Sequence, residues 1–467
     1  MLINYVSLII LAKLLNPQDF GLIALSTVLI GFFEVINGFG IPQLIVKDQI
    51  TDKVEIGYFF SMAMLLSLIL GFLCICIGWV YAFFFNLEHS QELFHVIAIS
   101  TIGILFNSYV AIYQSLYNRD LDFKMPAIYN IAALILANII ALAFATYNPS
   151  YWSLVIRNLA PCIILSTSFS FFSIYRPNFN LSLKLKRADK GFTFFLSANQ
   201  ALNYLARNMD YVIIGKFFDL GTVGQYSIAY RLMLAPMKML SSRITAVLYP
   251  TLSKIKDNKS EMLNFYVKIV SYISMISFLF MGILGVTAIH WVPLVFSSTY
   301  DLLIPLIQIL TIIGAFQAIT SPVGILYLIS DKTRLMFYYT IASSIVMILG
   351  FIAGGLSANI ITFAAIYAIM SFFVNFIASN YVPLNHLDYD FKLFLKKTLS
   401  TFPIACIAYA CTYFLLFYSN NLMMKFGHLP LLMEGIICFI IVYTALLRIF
   451  FKESSKEMIN KIKTIYS

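Results

Sequence analysis

Five basic residues lie inside long apolar runs of this sequence of 467 residues, namely Arg157, Arg207, Arg231, Lys238 and Arg243. A basic side chain at the centre of a membrane-spanning helix costs roughly 2.5–3.5 kcal/mol, so such residues usually face a protein interior or a water-filled cavity. Guanidinium groups bind phosphate through paired hydrogen bonds. The sequence therefore predicts a cationic interior that attracts an anionic substrate, with phosphate as the best match.

Two sets of polar residues in neighbouring apolar runs share helix faces. Steps of four, four and three residues place the first set on one stripe, which consists of Asn199, Asn203, Arg207 and Asp210. Arg231 and Lys238 lie seven residues apart, on one face of the following helix, and no acidic residue lies within a turn of either. This spacing favours a binding role for Arg231 and Lys238.

Structural explanations stay open for the other three basic residues. Arg207 and Asp210 have the i,i+3 spacing of an ion pair within one helix. Arg157 and Arg243 lie close enough to predicted helix ends for their long side chains to reach the membrane interface. Acidic residues in the apolar runs are few, so the predicted interior has a net positive charge; they are Glu34, Asp210 and Glu434.

Residues that most enzymes use are sparse in this sequence. It has five histidines, which are not clustered, and six cysteines, which all lie in apolar runs. Glycine-rich nucleotide-binding patterns are absent. The acids predicted on the outer face are scattered, with no pair at catalytic spacing; they are Asp19, Glu88, Glu92, Asp219 and Asp301. The sequence therefore predicts neither enzyme activity nor a cofactor or metal site.

The elements that must position these residues are membrane-spanning helices. Hydrophobic residues make up 61% of the chain, charged residues 11%, and mean hydropathy is +0.87. Soluble domains have roughly 25% charged residues, and a spanning helix needs about 20 apolar residues. Fourteen apolar runs follow one another from residue 2 to residue 451. We therefore expect an all-α polytopic membrane protein with about 14 transmembrane helices and exclude nucleic-acid binding, despite the net charge of +10.

Basic residues predict the orientation of these helices. Most of the 31 lysines and arginines fall in alternate connections and in the C-terminal tail. By the positive-inside rule, both termini are expected to be cytoplasmic. The longest connections, residues 40–57, 176–191 and 383–398, are predicted to lie on that side and are short.

Two stretches 203 residues apart are alike. Residues 9–16 read IILAKLLN and residues 212–219 read VIIGKFFD, and each stretch continues through a turn to a glycine, Gly21 or Gly224. Parallel repeats of this kind are typical of transporters whose substrate binds between the two halves. We therefore predict an N-terminal six-helix lobe at residues 1–175, a basic cytoplasmic linker at 176–191, a second six-helix lobe at 192–381, and two additional helices with a basic tail at 382–467.

Four motifs in these runs resemble those of bacterial polysaccharide transporters. They are AKLLNPQDFGL at 12–22, RNMDY at 207–211 with IGK at 214–216, YSIAYRL at 226–232 and LYPTLSK at 248–254. The sequence is similar to Wzx-type flippases of O-antigen and other surface polysaccharides, within the multidrug/oligosaccharidyl-lipid/polysaccharide exporter superfamily. This resemblance covers nearly the whole chain and departs from the family at the N-terminus, where members are longer.

The resemblance implies two six-helix lobes around a central cleft, which work by alternating access. The implied substrate is an undecaprenyl-diphosphate-linked oligosaccharide, moved from the cytoplasmic to the periplasmic leaflet of the bacterial inner membrane. The implied partners are the lipid bilayer and the polysaccharide polymerase and chain-length proteins. We expect Arg207, Arg231 and Lys238 to bind the diphosphate, with Arg157 and Arg243 as outer and inner contacts.

Sugar hydroxyls are expected to meet polar side chains of the same interior, namely Asn199, Asn203, Asn107 and Gln114. Asp210 and Glu34 are candidates for ion coupling. The main alternative function is a drug/cation antiporter of the same superfamily. Such a protein would need carboxylates in its cleft, and Glu34 and Asp210 are few for this purpose.

Overall fold

The computed structural model describes residues 2–38, 41–85, 89–176, 179, 190–423 and 427–450. Within these ranges, the side chains of residues 2, 38, 43, 47, 85, 190–199, 238–243, 245–246 and 420–423 are outside the description. All regular structure in the described ranges is helical, which confirms the predicted all-α class. The chain divides into two compact units, Met1–Ser227 and Ile228–Ser467.

The first unit contains nine helices in its described residues and the start of a tenth. They are α1 (Leu2–Leu14), α2 (Pro17–Gly38), α3 (Ile41–Lys47), α4 (Lys53–Phe85), α5 (Ser90–Ser100), α6 (Ile102–Arg119), α7 (Lys124–Tyr147), α8 (Trp152–Phe172), α9 (Lys190–Phe217) and α10 (Leu220–Lys254). Helix α10 continues without a break into the second unit.

The second unit continues with ten helices in its described residues. They are α11 (Lys259–Val286), α12 (Ala288–Val295), α13 (Leu303–Thr320), α14 (Val323–Ile329), α15 (Thr333–Leu356), α16 (Ile360–Met370), α17 (Ser379–His386), α18 (Phe391–Leu399), α19 (Phe402–Met423) and α20 (His428–Phe450). A π-helical segment, Ser371–Ala378, joins α16 to α17.

Eleven helical stretches in the described ranges are long and apolar enough to cross a membrane. Helix α1 is apolar but short, with Ile3–Leu14 as its apolar part. Helices α9 and α10, with 28 and 35 residues, are not among the eleven. The chain is a multi-pass membrane protein, and the count of about 14 spans stays a prediction.

Two predicted connections contain helices. Helix α3 lies within residues 40–57, and α17 and α18 occupy much of residues 383–398. Most of the predicted linker at 176–191 and the tail at 451–467 are outside the described residues. The predicted division into two lobes, a linker and two additional helices stays a prediction.

Helix α7 shows how the first unit packs in a lipid environment. Alanines at four-residue steps, Ala133, Ala137, Ala141 and Ala145, are at most 1% exposed and allow α8 and α1 to approach closely. The opposite face carries isoleucines that are about half exposed, such as Ile131 and Ile139. In a spanning helix these side chains face acyl chains.

The core of the second unit centres on Phe316 of α13. Its ring centroid lies 5.8 Å from that of Phe278, 5.7 Å from Phe402 and 5.1 Å from Phe376. Edge and tilted contacts of this kind are favourable beyond the area they bury. Phe376 lies in the π-helical segment, where the hydroxyl of Tyr339 donates to the carbonyl of Val374 at 2.5 Å.

Candidate functional site

Helix α2 carries a carboxylate in the interior of the first unit. Glu34 is half-buried, and its Oε1 accepts a hydrogen bond of 2.6 Å from Nδ2 of Asn107 on α6. One turn along α2, Nδ2 of Asn37 donates to the carbonyl oxygen of Ile104 at 3.1 Å. The structure thus brings together a predicted ion-coupling residue and a predicted sugar ligand on two packed helices.

Asp210 of α9 lies deeper, at 1% exposure. Its Oδ2 accepts a hydrogen bond of 2.7 Å from the hydroxyl of Tyr226 on α10, and its Oδ1 accepts from the backbone N–H of Tyr211 at 2.9 Å. A buried carboxylate needs such donors because it has lost its water. Asp210 and Arg207, both within the described residues, form no ion pair with each other, so the pairing left open by their spacing is wrong.

Arg157 of α8 takes part in a network that ties three helices. Its Nη2 donates to the backbone carbonyl of Asn4 on α1 at 2.8 Å, and its Nε donates to Oδ1 of Asn138 on α7 at 3.3 Å. Nδ2 of Asn138 donates in turn to Oδ1 of Asn4 at 3.1 Å. These contacts give Arg157 a packing role, and its expected contact with the diphosphate stays a prediction.

The remaining predicted ligands differ in exposure. Arg207 is exposed and forms no ion pair with the described part of the chain, whereas Arg231 and Asn203 are half-buried, as is Gln114 of α6. Three more have side chains outside the description: Asn199, Lys238 and Arg243. The meeting of Arg207, Arg231 and Lys238 around one diphosphate therefore stays a prediction.

These contacts leave both interior carboxylates of the first unit bonded to neutral donors. Glu34 is bonded to an amide, and Asp210 to a phenol and a backbone N–H. A carboxylate that forms an ion pair cancels the positive charge of its partner. Glu34 and Asp210 form no ion pair with Arg207, so they leave its positive charge in place. The arrangement therefore fits both anion binding by arginine and protonation of a carboxylate.

Two tyrosines contribute to this interior and were not predicted as site residues. The hydroxyl of Tyr204 on α9 donates to the carbonyl oxygen of Thr27 at 3.0 Å. Its ring edge lies against Gly31 of α2, since a Cβ added to Gly31 would lie 2.7 Å from the ring carbon that bears the hydroxyl. Tyr226, the hydrogen-bond partner of Asp210, lies in the motif at 226–232, and this motif could have identified it as a site residue. Tyr204 lies one residue beyond Asn203 of the polar stripe.

The histidines are also less isolated than the sequence suggested. His290 of α12 and His428 at the start of α20 are 138 residues apart, yet their Nδ1 atoms lie 3.4 Å from each other. His290 is only 2% exposed. The spacing of histidines along the sequence gave no sign of this pair, because it forms between helices that are distant in the chain.

A family model described as "Polysaccharide biosynthesis protein" matches residues 10–305 of this chain. The lipopolysaccharide biosynthesis protein WzxC of Escherichia coli (strain K12) is 23% identical over 417 residues, which cover 87% of this chain and 84% of WzxC.

Two solved structures are similar in fold. The lipid II flippase MurJ, in an inward closed conformation, superimposes with a TM-score of 0.71 at 15% identity, covering 96% of each chain. A multidrug resistance transporter of the MATE family, inward-facing and of the MOP superfamily, gives 0.68 at 12% identity, covering 83% of this chain and 94% of the transporter.

Proposed function

This chain belongs to the family of polysaccharide biosynthesis proteins, and from that premise we propose that it is a flippase for lipid-linked oligosaccharides. The observation that carries the proposal is the family match over residues 10–305, which includes all three motifs of α9 and α10. The resemblance to polysaccharide transporters of this superfamily, seen in the sequence motifs, is confirmed.

The proposed substrate is an oligosaccharide repeat unit on undecaprenyl diphosphate, carried from the cytoplasmic to the periplasmic leaflet of the inner membrane. The protein moves this lipid by alternating access and performs no covalent chemistry on it. Support comes from the similarity to WzxC, whose name places it in lipopolysaccharide biosynthesis, and from arginines within the membrane-spanning helices. The acyl chain stays in the bilayer, so the protein has to shield only the diphosphate and sugars.

In this proposal the diphosphate binds to Arg207, Arg231 and Lys238. Arg207 is exposed on α9 and has no ion pair within the described residues, so its guanidinium is available to an anion. Arg157 and Arg243 are the outer and inner contacts of the same route. Sugar hydroxyls meet amides, namely Asn199, Asn203, Asn107 and Gln114.

The test is surface-glycan display in cells that lack their own flippase and express this chain. Arg231→Ala and Lys238→Ala are each expected to lower display at least tenfold, because each removes a charge from the diphosphate site. Lys259→Ala is the matched control, since Lys259 begins α11 and its Nζ forms an exposed ion pair of 2.7 Å with Asp388, which lies between α17 and α18. Undiminished display by both variants at normal membrane abundance would refute the site.

The alternative of a drug/cation antiporter rests on two interior acids, Glu34 of α2 and Asp210 of α9. Such a protein would give resistance to cationic drugs that Glu34→Gln abolishes, while surface glycan stays unchanged. A flippase would give the reverse pattern, with glycan display dependent on the chain and drug resistance independent of it.

A further inference from the structure

Helix α20 packs along α11 and α12, and a series of contacts marks this seam. The hydroxyl of Tyr443 donates to the carbonyl oxygen of Met275 on α11 at 2.8 Å. Closer to the start of α20, a Cβ on Gly282 would lie 2.9 Å from Cε2 of Phe439. Residue numbers rise along α11 while they fall along α20, so the two helices run antiparallel.

The seam continues to α12 and ends at two histidines. A Cβ on Gly435 would lie 3.1 Å from Cγ2 of Thr287, the residue between α11 and α12. The fourth contact is the histidine pair, in which Nδ1 of His290 lies 3.4 Å from Nδ1 of His428. His290 is 2% exposed, and His428, the first residue of α20, is half-buried. The histidine pair therefore closes the seam at the end where α20 begins.

Only the histidine pair among these four contacts changes its charge between pH 5 and 8. The unperturbed pKa of histidine is about 6.5, whereas that of tyrosine is about 10. The other side chains in the seam are not ionisable. A change of pH in this range therefore acts on one end of the seam and leaves the other three contacts in place.

The geometry of the pair limits the number of protons that it holds. A neutral imidazole has one nitrogen that donates and one that accepts, while an imidazolium donates from both. Because the two Nδ1 atoms face each other, one of them has to accept, so the closed pair holds at most one proton beyond the neutral state. A second proton would bring two donors and two positive charges together. One of these charges would lie at the start of α20, where the helix dipole disfavours a cation.

Few charged groups surround the pair in the described part of the chain. Glu434 of α20 interacts electrostatically with His290, and its Oε1 accepts a hydrogen bond of 2.9 Å from Ser419 of α19. Helices α13 and α19 and the last three turns of α11 contain no charged residue. Asp301, after α12, is exposed, and Lys425, before α20, lies outside the described residues. The tyrosines of these elements stay neutral below pH 8; they are Tyr300, Tyr409, Tyr413, Tyr418 and Tyr443. One carboxylate compensates one extra proton on the pair but not two.

We propose that the histidine pair is a pH-sensitive tie between α12 and α20, closed near neutral pH and opened by acid. In acid each histidine carries its own extra proton, and the start of α20 moves away from α12. The connections at 287–302 and 418–427 contain one lysine and no arginine, so both are predicted to lie on the outer side. The tie therefore responds to the pH outside the cytoplasm. It does not depend on which substrate the protein carries and goes beyond the proposed function.

The proton count predicts how steep the response is. The separated histidines hold one proton more than the closed pair, so acid favours separation. The ratio of open to closed pairs rises up to tenfold for each pH unit below about 6.5. The contact is thus present above this pH and is lost as the pH falls.

Thiol labelling of a buried position beside the pair tests the tie. Leu431, three residues after His428, is 0% exposed, whereas Leu429 is 60% exposed. Leu431→Cys and Leu429→Cys are made separately in the full chain, which is reconstituted in lipid vesicles and treated with a water-soluble maleimide. Mass spectrometry of the peptides separates these sites from the native cysteines, and the ratio of the two rates cancels the effect of pH on the reagent. We expect the ratio of the Leu431→Cys rate to the Leu429→Cys rate to rise at least tenfold from pH 7.5 to pH 5.0.

Histidine substitutions identify the groups responsible. His290→Gln and His428→Gln keep a polar side chain that cannot take up the proton, and each is expected to hold the labelling ratio within twofold between these two pH values. His386→Gln is the matched control, because this histidine is exposed at the end of α17, outside the pair, and it should retain the full rise. A constant ratio with the unaltered pair, or a full rise in both other glutamine variants, would overturn the tie.

A reversal of sign gives a second test. In His428→Asp the new carboxylate lies at a helix start, which the helix dipole favours, and protonated His290 attracts it. Acid is therefore expected to lower the labelling ratio of this variant at least threefold, opposite to the unaltered pair. A ratio that still rises in acid would show that the pair does not control the contact. Neither measurement uses transport, so a chain that fails to restore glycan display but shows these responses refutes the flippase function and leaves the tie.

Discussion

At the scale of single residues, the two interior carboxylates of the first unit accept hydrogen bonds from neutral donors. Asp210 is the clearest case, since it is nearly inaccessible and depends on Tyr226 and the N–H of Tyr211. Spacing on a helix suggested an arginine as its partner, because sequence reveals neighbours along one helix more readily than partners on another. A carboxylate without a cation costs more to bury, which suggests a function for Asp210 beyond stability.

Tyr226→Phe is expected to destabilise the protein by about 1–3 kcal/mol, because it leaves a buried carboxylate oxygen without its donor. Thermal unfolding in detergent measures the change. Tyr389→Phe is the control, since the hydroxyl of Tyr389 makes only an exposed bond of 3.5 Å to Asn264. Equal melting temperatures for the two variants would show that the bond to Asp210 contributes nothing to stability.

At the scale of elements, small residues determine where helices approach. The alanine stripe of α7 is buried while isoleucines and leucines on its other side are exposed, a division that composition alone could not assign to particular neighbours. Apolar runs along the sequence predicted that membrane-spanning helices exist. They did not predict α3, α18 or the π-helical segment, because short amphipathic turns and a widened helical turn leave little trace in an apolar run.

Ala137→Leu is expected to cost about 1–3 kcal/mol through overpacking against the neighbouring helices. Leu136→Ala, at the adjacent and 49% exposed position, is expected to change stability by less, because it alters a surface that contacts lipid. Thermal unfolding of both variants in the same detergent gives the comparison. A larger loss for Leu136→Ala would contradict the packing assigned to α7.

A cluster at the end of α6 joins three elements and keeps its charge constant between pH 5 and 8. Arg119 donates to the carboxylate of Asp120 and to the carbonyl of Ile50, and the hydroxyl of Tyr175, beyond α8, also donates to Asp120. The hydrogen bond from Arg119, followed by that from Tyr175, lowers the pKa of Asp120 to about 2. The stability it contributes is therefore present above about pH 4 and is lost as the pH falls towards 2. Dependence of transport on pH between 5 and 8 must come from other groups.

At the scale of the whole molecule, the sequence predicted the class, the family and the repeat, because each can be recognised from short continuous segments of the chain. The diphosphate site was predicted from charged residues together with the family resemblance, and its assembly depends on side chains of α9 and α10 that no local pattern positions. Gly21 and Gly224 illustrate the difference. The sequence showed that they are equivalent, but only the fold shows that they meet, since a Cβ on Gly224 would lie 3.0 Å from the backbone nitrogen of Gly21.

The energy source of transport also concerns the whole molecule, because it depends on all the charges that cross the membrane with the substrate. An inside-negative potential of 100 mV favours outward movement of each negative charge by roughly 2.3 kcal/mol, unless protein cations move with it. Glu34, bonded to Asn107 at 2.6 Å, is a candidate to carry a proton in addition. In vesicles that contain the protein and a fluorescent undecaprenyl-diphosphate sugar, we expect both an imposed potential and an imposed pH gradient to speed flipping.

Glu34→Gln separates the two sources, because the amide keeps an oxygen that can accept from Asn107 but cannot exchange a proton. The variant is expected to retain flipping driven by the potential and to lose the part driven by the pH gradient. Asn107→Asp, which places a second carboxylate beside Glu34, should move the response to the pH gradient rather than remove it. If Glu34→Gln instead responds to both gradients as the unaltered chain does, Glu34 is a structural group and the coupling proton, where one moves, has to be carried by Asp210.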